Sequence, residues 1–261
     1  ETYGAILDAA ASRGLSVAGH PPWAIAPTDP LAARQRTLEH GFYPYPLSEL
    51  SEADRAKVIG NFKAEDVTLV PTLVAWQPRL LPYPLAEAVV DDECGAIDYR
   101  RRFISKRLLR YWRDGLADRR EEKREGLAGW REVMRNMTAD LGTLHDAGIT
   151  VLPGTDSGSS LVFPGFALAD ELEHLVVNVG LTPMQALVAA TSEAAALFHE
   201  EGVLREGARA DLVLLRADPS QKISNVRLIE AVIADGRLFD RRALASLYAS
   251  AVQEQACVQK W

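Results

Sequence analysis

Apolar residues recur at helical spacing from the start of the chain, with Tyr3, Ile6, Leu7 and Ala10 on one face at i, i+3, i+4 and i+7. Short β-rich runs follow at about 15–19 and 37–40. Ser51-Glu52-Ala53-Asp54 has the form of a capping box and predicts a helix whose inner face carries Val58, Ile59 and Phe62. A third strand is expected at 67–70, closed by Pro71-Thr72. Pro78, Pro82 and Pro84 fall within 76–97, which therefore reads as an irregular, lid-like segment. Residues 98–147 read as helical, with breaks near Gly115 and between Gly126 and Gly129. The apolar run at 149–153 is the fourth strand. Thr182-Pro183-Met184-Gln185 combines an N-cap threonine, a proline at the first helical position and a glutamine at the third. The helix it opens should bury Leu187, Ala190, Ala194, Leu197 and Phe198. From about 203 the period shortens, and 211–215, 228–234 and 236–239 read as short strands of a small β-subdomain.

Strand alternating with helix over the first 200 residues predicts an α/β fold with a parallel sheet. Composition fits one large globular domain: 261 residues, 48% of them hydrophobic. The net charge of −7 argues against a nucleic-acid partner. Arg100-Arg101-Arg102, Lys106-Arg107 and Arg119-Arg120 form a locally basic stretch. They are interleaved with Asp114, Asp118, Glu121, Glu122 and Glu125, the pattern of a solvated helix face. No apolar run approaches the roughly 20 residues that span a bilayer. Cys94 and Cys257 have neither zinc-ribbon spacing nor a framework count, and would pair only if the fold brings them together.

The candidate chemistry lies at strand ends. Leu15-Ser16-Val17-Ala18-Gly19-His20 and Thr37-Leu38-Glu39-His40 each finish an apolar stretch in a histidine. Ile149-Thr150-Val151-Leu152 leads to Gly154-Thr155-Asp156-Ser157-Gly158. Two imidazoles and a carboxylate at the C-terminal ends of successive strands are how a barrel assembles a metal site. Each also has a bland reading: His20 before Pro21-Pro22 could terminate a strand, His40 beside Glu39 could be half of an ion pair, and Asp156 could be a turn residue. Taken together and in this order, the three favour metal. His145 and His199 read as helix ends and His174 as a surface position. Trp76, Tyr83, Phe163 and Phe166 are candidates for substrate walls, and equally for packing.

These residues resemble the metal-dependent amidohydrolase superfamily, in particular its imidazolonepropionase-like and prolidase-like group. Gly19-His20-Pro21 is similar to the group's fifth-strand ligand, Leu38-Glu39-His40 to its sixth-strand ligand and Gly154-Thr155-Asp156 to its eighth-strand aspartate. The likeness continues through Phe163-Pro164-Gly165-Phe166, Glu171-Leu172-Glu173, Gly180-Leu181-Thr182-Pro183, Ala189-Ala190-Thr191 and the run from Gly207 to Leu215, with Asp218-Pro219 and Gly236. It implies the C-terminal half of a (β/α)8 TIM-type barrel over 1–200, strands five to eight, with strands of a small β-sandwich subdomain and a terminal helix over 201–261. It also implies a hydrolase cleaving an amide or peptide C–N bond through metal-activated water. His20, His40 and Asp156 would be ligands, Asp156 also the general base, and the cofactor one or two divalent ions, Zn²⁺ first. The substrate would be a small amide or dipeptide. An ester, lactone or phosphotriester hydrolase, a deaminase, or a non-catalytic homologue remains the alternative.

The group's first-strand His-x-His pair and fourth-strand bridging lysine have no counterpart here. No two of the five histidines are separated by one residue, and no lysine precedes His20. The resemblance therefore predicts a C-terminal part of a longer protein. Its half-barrel would be completed by an N-terminal segment, another chain or a copy of itself.

Overall fold

A computed structural model describes residues 1–20, 23–41, 46–117, 119 and 124–252. Pro21 and Pro22, the charged positions Asp118, Arg120, Glu121 and Glu122, and Cys257 lie outside them. Helix α1 (Thr2–Ala11) precedes β1 (Ala18–Gly19) and β2 (Thr37–Glu39); α2 (Glu52–Ala64) then leads to β3 (Thr68–Val70). Between β3 and β4 (Thr150–Val151) come α3 (Leu73–Trp76), α4 (Tyr83–Asp91), α5 (Lys106–Ala117) and α6 (Arg124–Asp146). The four strands form a parallel sheet in chain order.

Alternation decides the two faces of this sheet. Thr37, Thr68 and Thr150 lie in register, and so do Leu38, Leu69 and Val151 one residue on. The second row is buried against Val58 and Phe62 of α2 and Met137, Leu141 and Leu144 of α6. Burying each such side chain contributes about 1.5–3 kcal/mol. A second apolar cluster joins Ala86, Val89 and Val90 of α4 to Leu109, Trp112 and Leu116 of α5, with Phe163.

After β4 come α7 (Ala167–His174), α8 (Pro183–Val188) and α9 (Ala194–Leu197). Then β5 (Leu212–Leu215), β6 (Ile229–Ala234) and β7 (Arg237–Phe239) form an antiparallel sheet, followed by α10 (Arg241–Ala251). Arg227 ties this end of the chain to α7 through Asp170 at 2.7 Å and Glu173 at 3.1 Å. Among the described residues, no helix is long and apolar enough to cross a membrane.

Four local expectations are corrected. The proline-rich segment is not irregular, because it holds α4. Pro82 is the N-cap residue of that helix and Pro84 lies in its first turn, where the missing N–H is no loss. Gly126 and Gly129 do not break the chain: α6 runs through both, its far half fixed in the core by Met134, Met137, Leu141 and Leu144. The basic stretch is not wholly solvated. Arg101 is buried with its Nε–H donating to Val90 O at 2.7 Å, and the buried Arg119 donates to Pro78 O at 2.8 Å and Leu81 O at 2.9 Å. Finally, the capping box at Thr182 is complete and Leu187 and Ala190 of the expected face pack half-buried against Leu172, Ala186 and Ile223, but the fully buried positions are Ala186 and Ala189, and Phe198 is exposed. A π-helical turn at Ala189–Glu193 rotates the positions after it away from the expected stripe.

Candidate functional site

The C-terminal ends of the parallel strands open into a cavity of about 440 Å³ lined by His20, Glu39, His40 and Asp156, with Trp23, Trp76, Arg79, Tyr111, Arg119 and Ser159 among its walls. His20 follows β1 and His40 follows β2. Because these strands pair in parallel, their end residues are neighbours, and the two imidazole rings stack at 4.7 Å between centroids. Asp156 reaches the same cavity from the loop after β4. Trp76 stands edge-on to His40 at 6.1 Å, so of the four aromatic candidates it lines the site. Phe163 is buried in the α4–α5 cluster, and Tyr83 and Phe166 pack against it.

Backbone conformation marks the same places. Of the seven non-glycine residues with positive φ among the described residues, three are His40 (63°), Thr72 (49°) and Asp156 (47°), following β2, β3 and β4. Left-handed backbone costs a side-chain-bearing residue about 1–2 kcal/mol, and such strain gathers at functional sites.

Hydrogen bonds then fix the side chains. The Thr72 hydroxyl bonds His40 Nδ1. This leaves Nε2 outside that bond, and which group donates depends on the tautomer of the ring. Burial, then the nearby His20, holds the His40 pKa below its usual value, against the pull of Asp156 and Glu39. Neutral imidazole, the form that binds metal, is thereby favoured. Among the described residues Glu39 forms no ion pair with His40; its Oε1 accepts from the Thr37 hydroxyl at 2.8 Å. At Asp156, the Ser159 hydroxyl donates to Oδ2 at 2.6 Å and the Ser159 N–H to the backbone oxygen at 3.1 Å. The turn reading of this aspartate thus holds alongside its place in the cavity.

Two imidazoles stacked at neighbouring strand ends suit a divalent cation as a donor pair. Among the described residues, no group of three or more histidine, cysteine, aspartate or glutamate side chains is close enough to enclose one. The pair fits such an ion and the closed shell is not assembled.

Sequence reasoning assigned no role to Thr72, Ser159 or Glu171. Thr72 and Ser159 carry no signal beyond following a strand end. Glu171 does carry one. It lies four residues from both Ala167 and Leu175, on the buried face of α7, where a lone carboxylate is out of place. Its Oε2 accepts from the Val74 N–H at 2.8 Å, and burial pushes its pKa up to about 7.

Comparison with known proteins bears on this arrangement. Imidazolonepropionase of Cutibacterium acnes (strain DSM 16379 / KPA171202) is 39% identical over 103 residues, 38% of this chain and 26% of that protein. Ochratoxinase of Aspergillus niger is 34% identical over 100 residues, 36% of this chain and 20% of that protein. Among solved structures, bottromycin amidohydrolase superposes with a TM-score of 0.71 at 24% identity, covering 96% of this chain and 55% of that one. A Xaa-Pro dipeptidase with bound methionine in its active site gives 0.57 at 20% identity, covering 91% and 48%. The structural likenesses carry the fold, a TIM-barrel-type α/β architecture, and this chain spans about half the length of either protein. The model of the amidohydrolase family matches residues 2–239 of the 261, and the chain belongs to that family.

Proposed function

We propose that this chain carries half of the active site of a metal-dependent hydrolase that cuts an amide or peptide C–N bond in a small molecule. The observation that carries the reading is the stacked pair His20–His40 at adjacent strand ends, with Asp156 on the same cavity. In this reading 1–200 supply strands five to eight of a (β/α)8 barrel and 201–261 a β-subdomain. Amidohydrolase-family membership, imidazolonepropionase and the Xaa-Pro dipeptidase support C–N hydrolysis as the reaction class.

His20 and His40 would hold the ion, with Zn²⁺ the first choice for two neutral imidazoles and Asp156 within reach. A divalent cation bound there brings the pKa of water to about 7 and polarises a carbonyl oxygen. The remaining steps belong to the chain. Ser159 holds Oδ2 of Asp156, which aims the carboxylate and leaves Oδ1 to take a proton from an attacking water. Asp156 then returns that proton to the leaving nitrogen as the C–N bond breaks. Trp76, Trp23 and Tyr111 offer apolar walls for the acyl or amine portion. The rest of the barrel would come from an N-terminal segment, another chain or a second copy.

Metal analysis of His20→Ala and His40→Ala proteins tests the ligand assignment: each should lose bound Zn²⁺, and unchanged content in both would sink it. Asp156→Asn in the complete protein should lower kcat about 10²–10⁴-fold, because the amide keeps the shape but takes no proton. Near-normal turnover would remove Asp156 from the mechanism.

A further inference from the structure

Thr72 is the N-cap residue of α3, yet its side chain makes no capping hydrogen bond. An N-cap threonine ordinarily adopts extended backbone and accepts a hydrogen bond from an N–H of its own first turn. Here φ and ψ are 49° and 46°, and the hydroxyl is turned to His40 Nδ1 instead. One N–H that Thr72 neglects is taken up from another element. Glu171, fully buried on α7, accepts the Val74 N–H at 2.8 Å, and the Leu73 N–H faces the same carboxyl.

The same carboxyl lies close enough to the N–H of Gly154, two residues before Asp156, for that dipole to lower its pKa, while its Oε1 makes no hydrogen bond among the described residues. That approach depends on glycine. A Cβ at Gly154 would fall 2.4 Å from Val70 Cγ1 and 3.0 Å from Thr72 Cγ2. The loops after β3 and β4 are therefore pressed together directly above Glu171.

We propose that Glu171 is a positioning residue of the site: by capping α3 in place of Thr72, it frees the threonine hydroxyl to orient His40, and its carboxyl lies beside Gly154, at the root of the loop that presents Asp156. The role rests on His40 and Asp156 being the working residues, as proposed above. Without an acceptor at 171, the orphaned N–H of Val74 competes for the Thr72 hydroxyl. His40 then loses the partner that fixes its ring.

With only five histidines in the chain, ¹⁵N-histidine labelling resolves the His40 ring nitrogens by NMR. The comparison takes wild type, Glu171→Met, which fills the space without an oxygen acceptor, Glu171→Gln, which keeps one, and Thr72→Val. Glu171→Met should move the His40 Nδ1 and Nε2 signals to those of Thr72→Val, and Glu171→Gln should restore the wild-type pattern. Combining Glu171→Met with Thr72→Val should add nothing further. Zn²⁺ affinity, titrated with the metal alone, should drop by roughly 10–100-fold in Glu171→Met and Thr72→Val alike. Should Glu171→Met not fold, Glu171→Ala takes its place.

Wild-type His40 signals in the folded Met or Ala variant, with Thr72→Val shifted, would overturn the role. So would a shift in Glu171→Gln as large as in Glu171→Met. If Zn²⁺ binds wild type and His40→Ala equally, the metal reading fails while the ring-nitrogen signals still decide the role of Glu171.

Discussion

Glu171→Gln gives a stability signature that needs no knowledge of substrate or metal. The carboxyl is buried, and its pKa rises from 4.5 to about 7 because burial outweighs the N–H groups of Val74, Leu73 and Gly154. Folded protein therefore holds the proton more tightly than the unfolded chain. The resulting stabilisation is fully present below about pH 4.5 and is lost as pH rises through about 7. A difference of about 2.5 pH units, at about 1.4 kcal/mol each, amounts to ~3 kcal/mol. Glutamine has the same shape and no proton to lose. Other shifted groups bear on stability as well: His40, with its lowered pKa, contributes stability as pH rises, and Asp140, raised by burial, acts in the same sense as Glu171. They are common to both proteins and cancel in the difference. Urea unfolding of wild type and Glu171→Gln should be compared at intervals from about pH 4.5 to 7.5. The stability of wild type relative to the variant should decline by ~3 kcal/mol across this range. A difference that is flat with pH, or that grows towards neutral, would refute the assignment of a raised pKa to this side chain.

Gly154→Ala should lower stability by about 1–3 kcal/mol in a thermal or urea melt, because its Cβ overlaps Val70 Cγ1 at 2.4 Å. Val70→Ala in the same protein should recover part of that loss, and an unaffected melt would mean the two loops are not pressed together. Trp112→Ala removes a fully buried ring that packs edge-on to Phe163 at 5.2 Å and donates its Nε1–H to Gly158 O at 3.2 Å. The loss should reach about 3–5 kcal/mol by urea unfolding, and less than 1 kcal/mol would show that the α4–α5 cluster is not a core.

The strand ends and their chemistry were the most legible part of the chain. A histidine or aspartate closing a short apolar run is a local pattern, and parallel pairing in chain order carries His20, His40 and Asp156 to one cavity. The capping box at Thr182 was legible for the same reason, since its partners lie three residues apart. What escaped depends on distant partners. Arg101 and Arg119 look like solvated charges until the carbonyls of Val90, Pro78 and Leu81 are in place. Pro82 and Pro84 mark the start of α4 rather than an irregular lid, which only the buried Val89 and Val90 reveal. No local rule announces that Ala189–Glu193 winds as a π-helical turn.

The left-handed residues at the strand ends give a physical reason for the polar contacts behind them. At about 1–2 kcal/mol for a residue with a side chain, the left-handed turns at His40 and Thr72 cost a few kcal/mol between them, against a net stability of roughly 5–15 kcal/mol for a domain, and Asp156 adds less because aspartate tolerates this region. Each is tied into the structure by a specific bond. The His40 N–H donates to Val70 O at 3.0 Å, continuing the β2–β3 ladder one residue past the strand. Asp156 is held by Ser159 through both side chain and backbone. Thr72, whose hydroxyl is committed to His40, leans on Glu171. A sheet terminating in relaxed residues would keep the His40 ladder bond, but its end side chains would continue the alternation of the strand. Turning them left-handed aims His40 and Asp156 into the cavity, and a buried carboxyl on α7 is what keeps the β3 turn from relaxing.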